Sequence, residues 1–223
     1  MLVDLKIENK NIVIVGGGSE SYRKALSFVE AKTKILVVSE EFSENIKNLY
    51  KSGKIQLQKK KVRDAEELMK SFEQKPDLIV AVTNNHELNN QIISAAKTKG
   101  FMVYAPDNPA ISDFTLPAVA KIGEVKIAIS TSGKSPAMTR ALRQKIERII
   151  TPEDLLQIKL QTYVRQNLKK TINDQKIRRQ ILCGIIDNTT IKRLLKEGKI
   201  SEAEREAEKI ISKTSAFKLT DKK

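Results

Sequence analysis

Three consecutive glycines, Gly16, Gly17 and Gly18, follow the apolar run Ile12–Val15 directly. A turn without Cβ atoms lets the backbone approach a pyrophosphate while the N–H groups of a following helix point at its oxygens. Gly16-x-Gly18 fits the first two positions of G-x-G-x-x-G, and Ser21, small but not glycine, stands at the third. A plain tight turn is the other reading of the triplet. With Ser19 and Glu20, the glycines form the candidate phosphate cradle of a dinucleotide site. Such sites place an acid at the end of the second strand to accept hydrogen bonds from the adenosine ribose. Here Ser39, Glu40 and Glu41 stand there, the acid one or two positions late. No arginine accompanies them for a 2′-phosphate, which favours NAD over NADP, although Lys34 and Lys59–Lys61 keep NADP open. That lysine run reads as a solvated edge before it reads as a phosphate clamp. Thr83 and Asn84, closing the fourth strand, are further candidate cofactor contacts.

Asp107 heads the triplet Asp107-Asn108-Pro109, which taken alone reads as a turn. It also follows the apolar run Phe101–Val103, which puts it at the carboxyl end of a parallel sheet, where ligands bind. A carboxylate beside a nicotinamide can accept the proton that must leave as hydride departs. The stretch Ser130-Thr131-Ser132-Gly133-Lys134-Ser135-Pro136 ends the apolar run Val125–Ile129, with Ser135 as a helix N-cap and Pro136 in the first turn. It reads either as an anion site, with Ser132, Gly133 and Lys134 as binding candidates, or as a capped turn without a ligand. His86 reads as a surface histidine early in a helix, and Cys183 as a buried core residue. One histidine and one cysteine leave no internal disulfide and no cluster with metal-ligand spacing.

These residues need a scaffold, and the chain supplies an alternating one. Ile12–Val15, Lys34–Val38, Ile55–Gln58, Leu78–Val82 and Phe101–Val103 read as short strands, each rich in β-branched or large apolar residues. Helical patterns fall between them, over Ser21–Ala31 with Leu26 and Val29 on one face, and over Asn84–Lys99 with Leu88, Ile92, Ile93, Ala95 and Ala96. This alternation predicts an α/β protein whose N-terminal Rossmann-like parallel sheet carries helices on both faces. A small α+β segment and a C-terminal helical domain follow it. The expected divisions are 1–113, 114–150 and 151–223.

Four stretches together carry a resemblance: VGGGSESYRKA at 15–25, VAVTNNHELNNQIISAAKTKG at 80–100, APDNPAISDFTLPA at 105–118 and KIAISTSGKSPAMTRALRQKIE at 126–147. They resemble the precorrin-2 dehydrogenase family, the dehydrogenase module of siroheme synthases, in unbroken order from residue 1 to about 150. The resemblance implies oxidation of precorrin-2 to sirohydrochlorin with NAD, in the route to siroheme or a related tetrapyrrole. Some family members also insert ferrous iron, and others only dehydrogenate. It implies that Asp107 is the catalytic carboxylate, that substrate lies near Ser132–Lys134, and that copies form homodimers through the segment beginning near Phe114. Glu20 departs from the small or apolar residue usual at its position, and a negative charge beside a pyrophosphate is unfavourable unless it turns outward. Asn84-Asn85 replaces a more usual acidic pair, while Asp113 and Phe114 are expected to serve the turn into the next segment.

Charge agrees with an acidic substrate. The net charge is +14, and residues 115–223 hold 24 Lys+Arg against 12 Asp+Glu, whereas residues 1–114 hold 17 against 15. A substrate with eight carboxylates would be drawn to a basic floor, for which Lys121, Lys126, Lys134, Arg140 and Arg143 are candidates. Aromatic content of 4% supplies few stacking platforms, which argues against a nucleic-acid partner. No apolar run is long enough to span a bilayer and Met1–Lys10 lacks signal-peptide blocks, so a cytoplasmic protein without membrane partners is expected. From Thr151-Pro152-Glu153-Asp154 onward the chain reads as three or four basic helices with a break at Asp187-Asn188, a small domain that the resemblance expects to close over the substrate. The competing function is a redox sensor that binds NAD(H) and uses this tail for a protein or nucleic-acid partner.

Overall fold

The computed structural model describes residues 2–220, with side chains over 2–213. The chain divides into two compact units, Met1–Leu116 and Pro117–Lys223. In the first, strands β1 (Asn11–Val15), β2 (Lys34–Ser39), β3 (Gln56–Lys59), β4 (Leu78–Ala81) and β5 (Met102–Tyr104) form one sheet in the order β3-β2-β1-β4-β5. All four pairings are parallel. Helices α1 (Ser19–Val29), α2 (Glu44–Lys51), α3 (Ala65–Lys70) and α4 (His86–Thr98) make the crossovers. Strand periodicity explains the two cores. Ile12 and Ile14 point to one face with Ala25 and Phe28 of α1 and Ile46 and Leu49 of α2. Val13 and Val15 point to the other, with Leu68 and Met69 of α3 and Ile92, Ile93 and Ala96 of α4. Burying one such aliphatic side chain contributes about 1.5–3 kcal/mol, so a strand buried on both faces must be apolar throughout.

Two expectations about local detail are corrected. The buried face of α1 is Ser21, Ala25 and Phe28, while Leu26 is exposed. Small residues at 21 and 25 let the helix lie close to the sheet, and that closeness outweighs the hydrophobicity of Leu26. Helices α2 and α3, of 8 and 6 residues, are too short for a periodic signature and were not expected.

The second unit begins with a hairpin of β6 (Ala118–Ile122) and β7 (Val125–Ile129), paired antiparallel with Ile122 opposite Val125. Gly123, at φ +56°, opens its two-residue turn. Helix α5 (Pro136–Ile149) packs on β6 over the buried Ala120. Helices α6 (Pro152–Thr171), α7 (Gln175–Asp187), α8 (Thr189–Lys196) and α9 (Ile200–Thr220) follow. Leu160, Val164 and Leu168 of α6 form the spine of their core, and Ala203 and Ala207 let α9 approach closely. Thr151 and Asp154 form a reciprocal capping box at the start of α6. The break at Asn188 is real: that residue ends α7, and its side chain caps α8 by accepting from the Ile191 N–H. Cys183 is exposed rather than buried, because Ile181 and Ile185 hold the inward face and a residue between them points away.

Candidate functional site

The site lies where the strand order reverses, at the carboxyl ends of β1 and β4. Two of the three glycines are there for packing. A Cβ on Gly16, at φ +126°, would lie 2.6 Å from the Val82 carbonyl oxygen, and one on Gly17 would lie 1.9 Å from that of Glu41. Gly18 differs, since a Cβ there would meet nothing within 4 Å. Gly18 is also the N-cap of α1 and offers no side-chain cap, so the first N–H groups of the helix, on Ser19, Glu20 and Ser21, are left to a ligand or to solvent. This cradle fits a dinucleotide pyrophosphate. Ser21 fills the place of the third glycine, with its hydroxyl buried beneath the turn.

Glu20, an unfavourable charge on sequence grounds, is neutralised along its own helix by an ion pair with Arg23 and by one with Lys24 at 3.1 Å. Burial works to raise its carboxyl, yet the hydrogen bonds and charges of Lys24 and Arg23 outweigh burial and hold it below its ordinary value. Burial likewise pulls Lys24 down, and its bonds to Tyr104 and Glu20 overcome that and raise it. Lys24 Nζ donates to Tyr104 Oη at 3.0 Å, and the Tyr104 ring stacks on Phe114 at 5.2 Å. Phe114 thus anchors the end of β5. Asp113 also closes onto β5, accepting from the Val103 N–H at 2.8 Å and donating its own N–H to the Val103 carbonyl.

At the end of β2 the three candidates separate. The Ser39 hydroxyl and the Glu41 backbone carbonyl pack against Gly17, whereas Glu40 is exposed and paired with Lys61 at 2.8 Å. Lys60 pairs with Glu67 at 3.0 Å. Thr83 is fixed by Asn89, whose Oδ1 accepts from both its N–H at 3.0 Å and its hydroxyl at 2.7 Å. Asn84 is exposed.

Asp107 stands in a turn closed by the Asn108 N–H on the Ala105 carbonyl, so the turn and the poised carboxylate are one feature. Its side chain is 28% exposed, and Oδ2 contacts His86 Nδ1 at 2.6 Å and accepts from Asn89 Nδ2 at 3.3 Å. Sequence reasoning missed both partners. Asn89 carried a usable signal, a lone polar residue on the apolar stripe of α4, where it is 1% exposed. His86 is a surface residue as expected, but not a solitary one.

In the second unit, Ser132 (φ +51°) and Gly133 (φ +78°) form a left-handed turn closed by the Lys134 N–H on the Thr131 carbonyl. Ser135 caps α5 by accepting from the Met138 N–H. Of the basic-floor candidates, Lys121 and Lys126 sit directly opposite each other across the hairpin, while Arg143 pairs with Glu147 at 2.9 Å. Among the described residues no three His, Cys, Asp or Glu side chains gather as a metal site, and no helix is long and apolar enough to cross a membrane.

An all-parallel sheet with a glycine cradle at its switch point defines the first unit as a Rossmann-like dinucleotide-binding domain. The model of a putative NAD(P)-binding domain matches residues 3–118, and that of the central part of sirohaem biosynthesis proteins matches residues 123–149. A precorrin-2 dehydrogenase of Methanosarcina barkeri is 33% identical over 202 residues, covering 90% of this chain and 89% of that protein. A putative precorrin-2 dehydrogenase of Methanocaldococcus jannaschii is 32% identical, covering 86% of this chain and 93% of its own. A siroheme synthase of Nitrosomonas europaea is 32% identical over 148 residues, only 30% of that longer protein. The solved structure of SirC, precorrin-2 dehydrogenase, covers 94% of this chain at a TM-score of 0.75 and 22% identity, a likeness of fold. The chain belongs to the precorrin-2 dehydrogenase and siroheme synthase family.

Proposed function

We propose that this protein oxidises precorrin-2 to sirohydrochlorin with NAD as the hydride acceptor, in the cytoplasm, as a homodimer. The observation that carries the reading is the Asp107 carboxylate, held by two side chains at the sheet edge that also bears the glycine cradle. When bound, the nicotinamide takes up a hydride. The N–H groups at the start of α1 hold the pyrophosphate over the open side of Gly18, with Gly16 and Gly17 packing the turn beneath it, Glu40 accepts from the ribose, and Thr83 and Asn84 border the same crevice. Asp107 Oδ1, which no protein donor reaches among the described residues, takes the one proton that leaves the macrocycle as the hydride departs. Ser132 offers its hydroxyl, Gly133 a backbone N–H and Lys134 its ammonium to a peripheral carboxylate, within a basic segment suited to a polycarboxylate. The segment 114–150 is the pairing segment: α5 exposes Met138, Leu142 and Ile149 along one face, a stripe suited to a second copy of itself.

The test is anaerobic turnover of enzymatically prepared precorrin-2 with NAD, read as NADH and sirohydrochlorin spectra, followed by addition of ferrous iron. Turnover supports the dehydrogenase, and the iron step tells whether the product macrocycle is also metallated. Intact NAD binding without turnover refutes the substrate assignment. The sensor reading has no comparable support, since a sensor needs no poised carboxylate at this edge.

A further inference from the structure

We propose that His86 is the positioning residue of the Asp107 carboxylate, a proposal that rests on Asp107 being the base. His86 opens α4 after the short loop 82–85 that follows β4, and Asp107 follows β5, the neighbour of β4 in the sheet. Their loops leave the sheet side by side, which brings residues 21 apart in sequence to a contact of 2.6 Å.

An ionised carboxylate only accepts hydrogen bonds, so the imidazole nitrogen facing it is the donor, and His86 carries its proton on Nδ1. Asn89 Nδ2 grips the same oxygen at 3.3 Å. Both protein donors therefore converge on Oδ2, fixing the rotation of the carboxylate and directing Oδ1 to the substrate. The contact is not a packing feature. The His86 side chain is 79% exposed and lies in none of the cores, so the folded state gains little from it. What it contributes is the orientation of a single carboxylate.

The chain contains one histidine, which makes the assignment directly measurable. Nitrogen-15 correlation spectra of the full chain, with any purification tag removed, are expected to show the Nδ1-protonated tautomer, and Asp107→Ala is expected to abolish that preference. In steady-state kinetics His86→Ala should lower kcat about ten- to a hundredfold, the scale of a misplaced reacting group. NAD affinity and melting temperature should not change. His86→Gln, which keeps an N–H donor, should recover most of the loss, a rescue that a purely structural role would not produce. An Nε2-protonated ring in the wild type overturns the proposal. So does a fully active His86→Ala beside an inactive Asp107→Ala, or a His86→Gln as slow as His86→Ala. If the wild type shows the Nδ1 tautomer but no turnover of precorrin-2, the pair stands and the substrate reading falls. A fully active Asp107→Ala removes the base, and the positioning role with it.

Discussion

Alanine placed at two adjacent glycines should separate the role of packing from the role of binding. Gly18 has φ −86°, which any L residue adopts, and open space where its Cβ would project. Alanine there should fold without strain and, by restricting the unfolded chain, stabilise by about 0.4–1 kcal/mol. The same methyl group would stand in the opening of the cradle and displace the pyrophosphate from one charge-assisted hydrogen bond, worth about 1.5–3 kcal/mol. That corresponds to an NAD Kd about 10- to 150-fold weaker. Gly17→Ala has the opposite profile, because its Cβ would lie 1.9 Å from the Glu41 carbonyl oxygen, a rigid backbone atom that must move. A cost of about 3 kcal/mol, at the upper end for overpacking, lowers the melting temperature by roughly 6–12 °C. Calorimetric titration with NAD and thermal melts of both variants read the two effects separately. Wild-type NAD affinity in Gly18→Ala would show that the open side of the turn is not the phosphate site. Wild-type stability in Gly17→Ala would refute the packing argument itself.

Other outcomes follow from the same structure. Asp107→Asn should lower kcat by about 10²- to 10⁴-fold, the usual contribution of a general base, with NAD binding unchanged in titration. Leu142→Glu, which puts a charge in the exposed stripe of α5, should convert a dimer to monomers in sedimentation, and a monomeric wild type would remove the pairing segment from consideration. The backbone hydrogen bond from Thr151, helped by its hydroxyl, holds the Asp154 carboxyl below its ordinary 3.8. A depressed carboxyl stabilises fully above its unfolded value and loses that contribution as pH falls through the folded one. Denaturant melts should therefore show Asp154→Asn less stable than wild type at neutral pH and equal to it in strong acid. Thr151→Ala should cost about 1 kcal/mol at neutral pH, the ordinary worth of an N-cap.

The sheet was legible because strands buried on both faces must be apolar along their whole length, and Ile12–Val15 and Leu78–Ala81 have no other reading. Strand β6, Ala-Val-Ala-Lys-Ile, was not, since two alanines carry little strand preference and its pairing is set by the two-residue turn at Gly123 that follows it. The glycine turn was visible as a motif, but only the atoms above Gly16 and Gly17 divide it into two packing glycines and one open one. The ion pairs of Glu20 with Arg23 and Lys24 follow helical spacing and could have been anticipated, whereas the link from Lys24 to Tyr104 spans 80 residues and could not. Asp107 was found through resemblance. Its partner His86 depends on β4 and β5 being neighbours, a fact about topology that no local pattern records.

Asn89 has a consequence for how the site can vary. Its one amide, almost wholly enclosed in the core, bonds the backbone and hydroxyl of Thr83 and also reaches the carboxylate of Asp107. The carboxylate therefore takes part of its stiffness from the sheet interior, beside the His86 contact at the surface and the turn that carries it. A change on the buried side of α4, well away from any ligand, would therefore unsettle two edges of the crevice together.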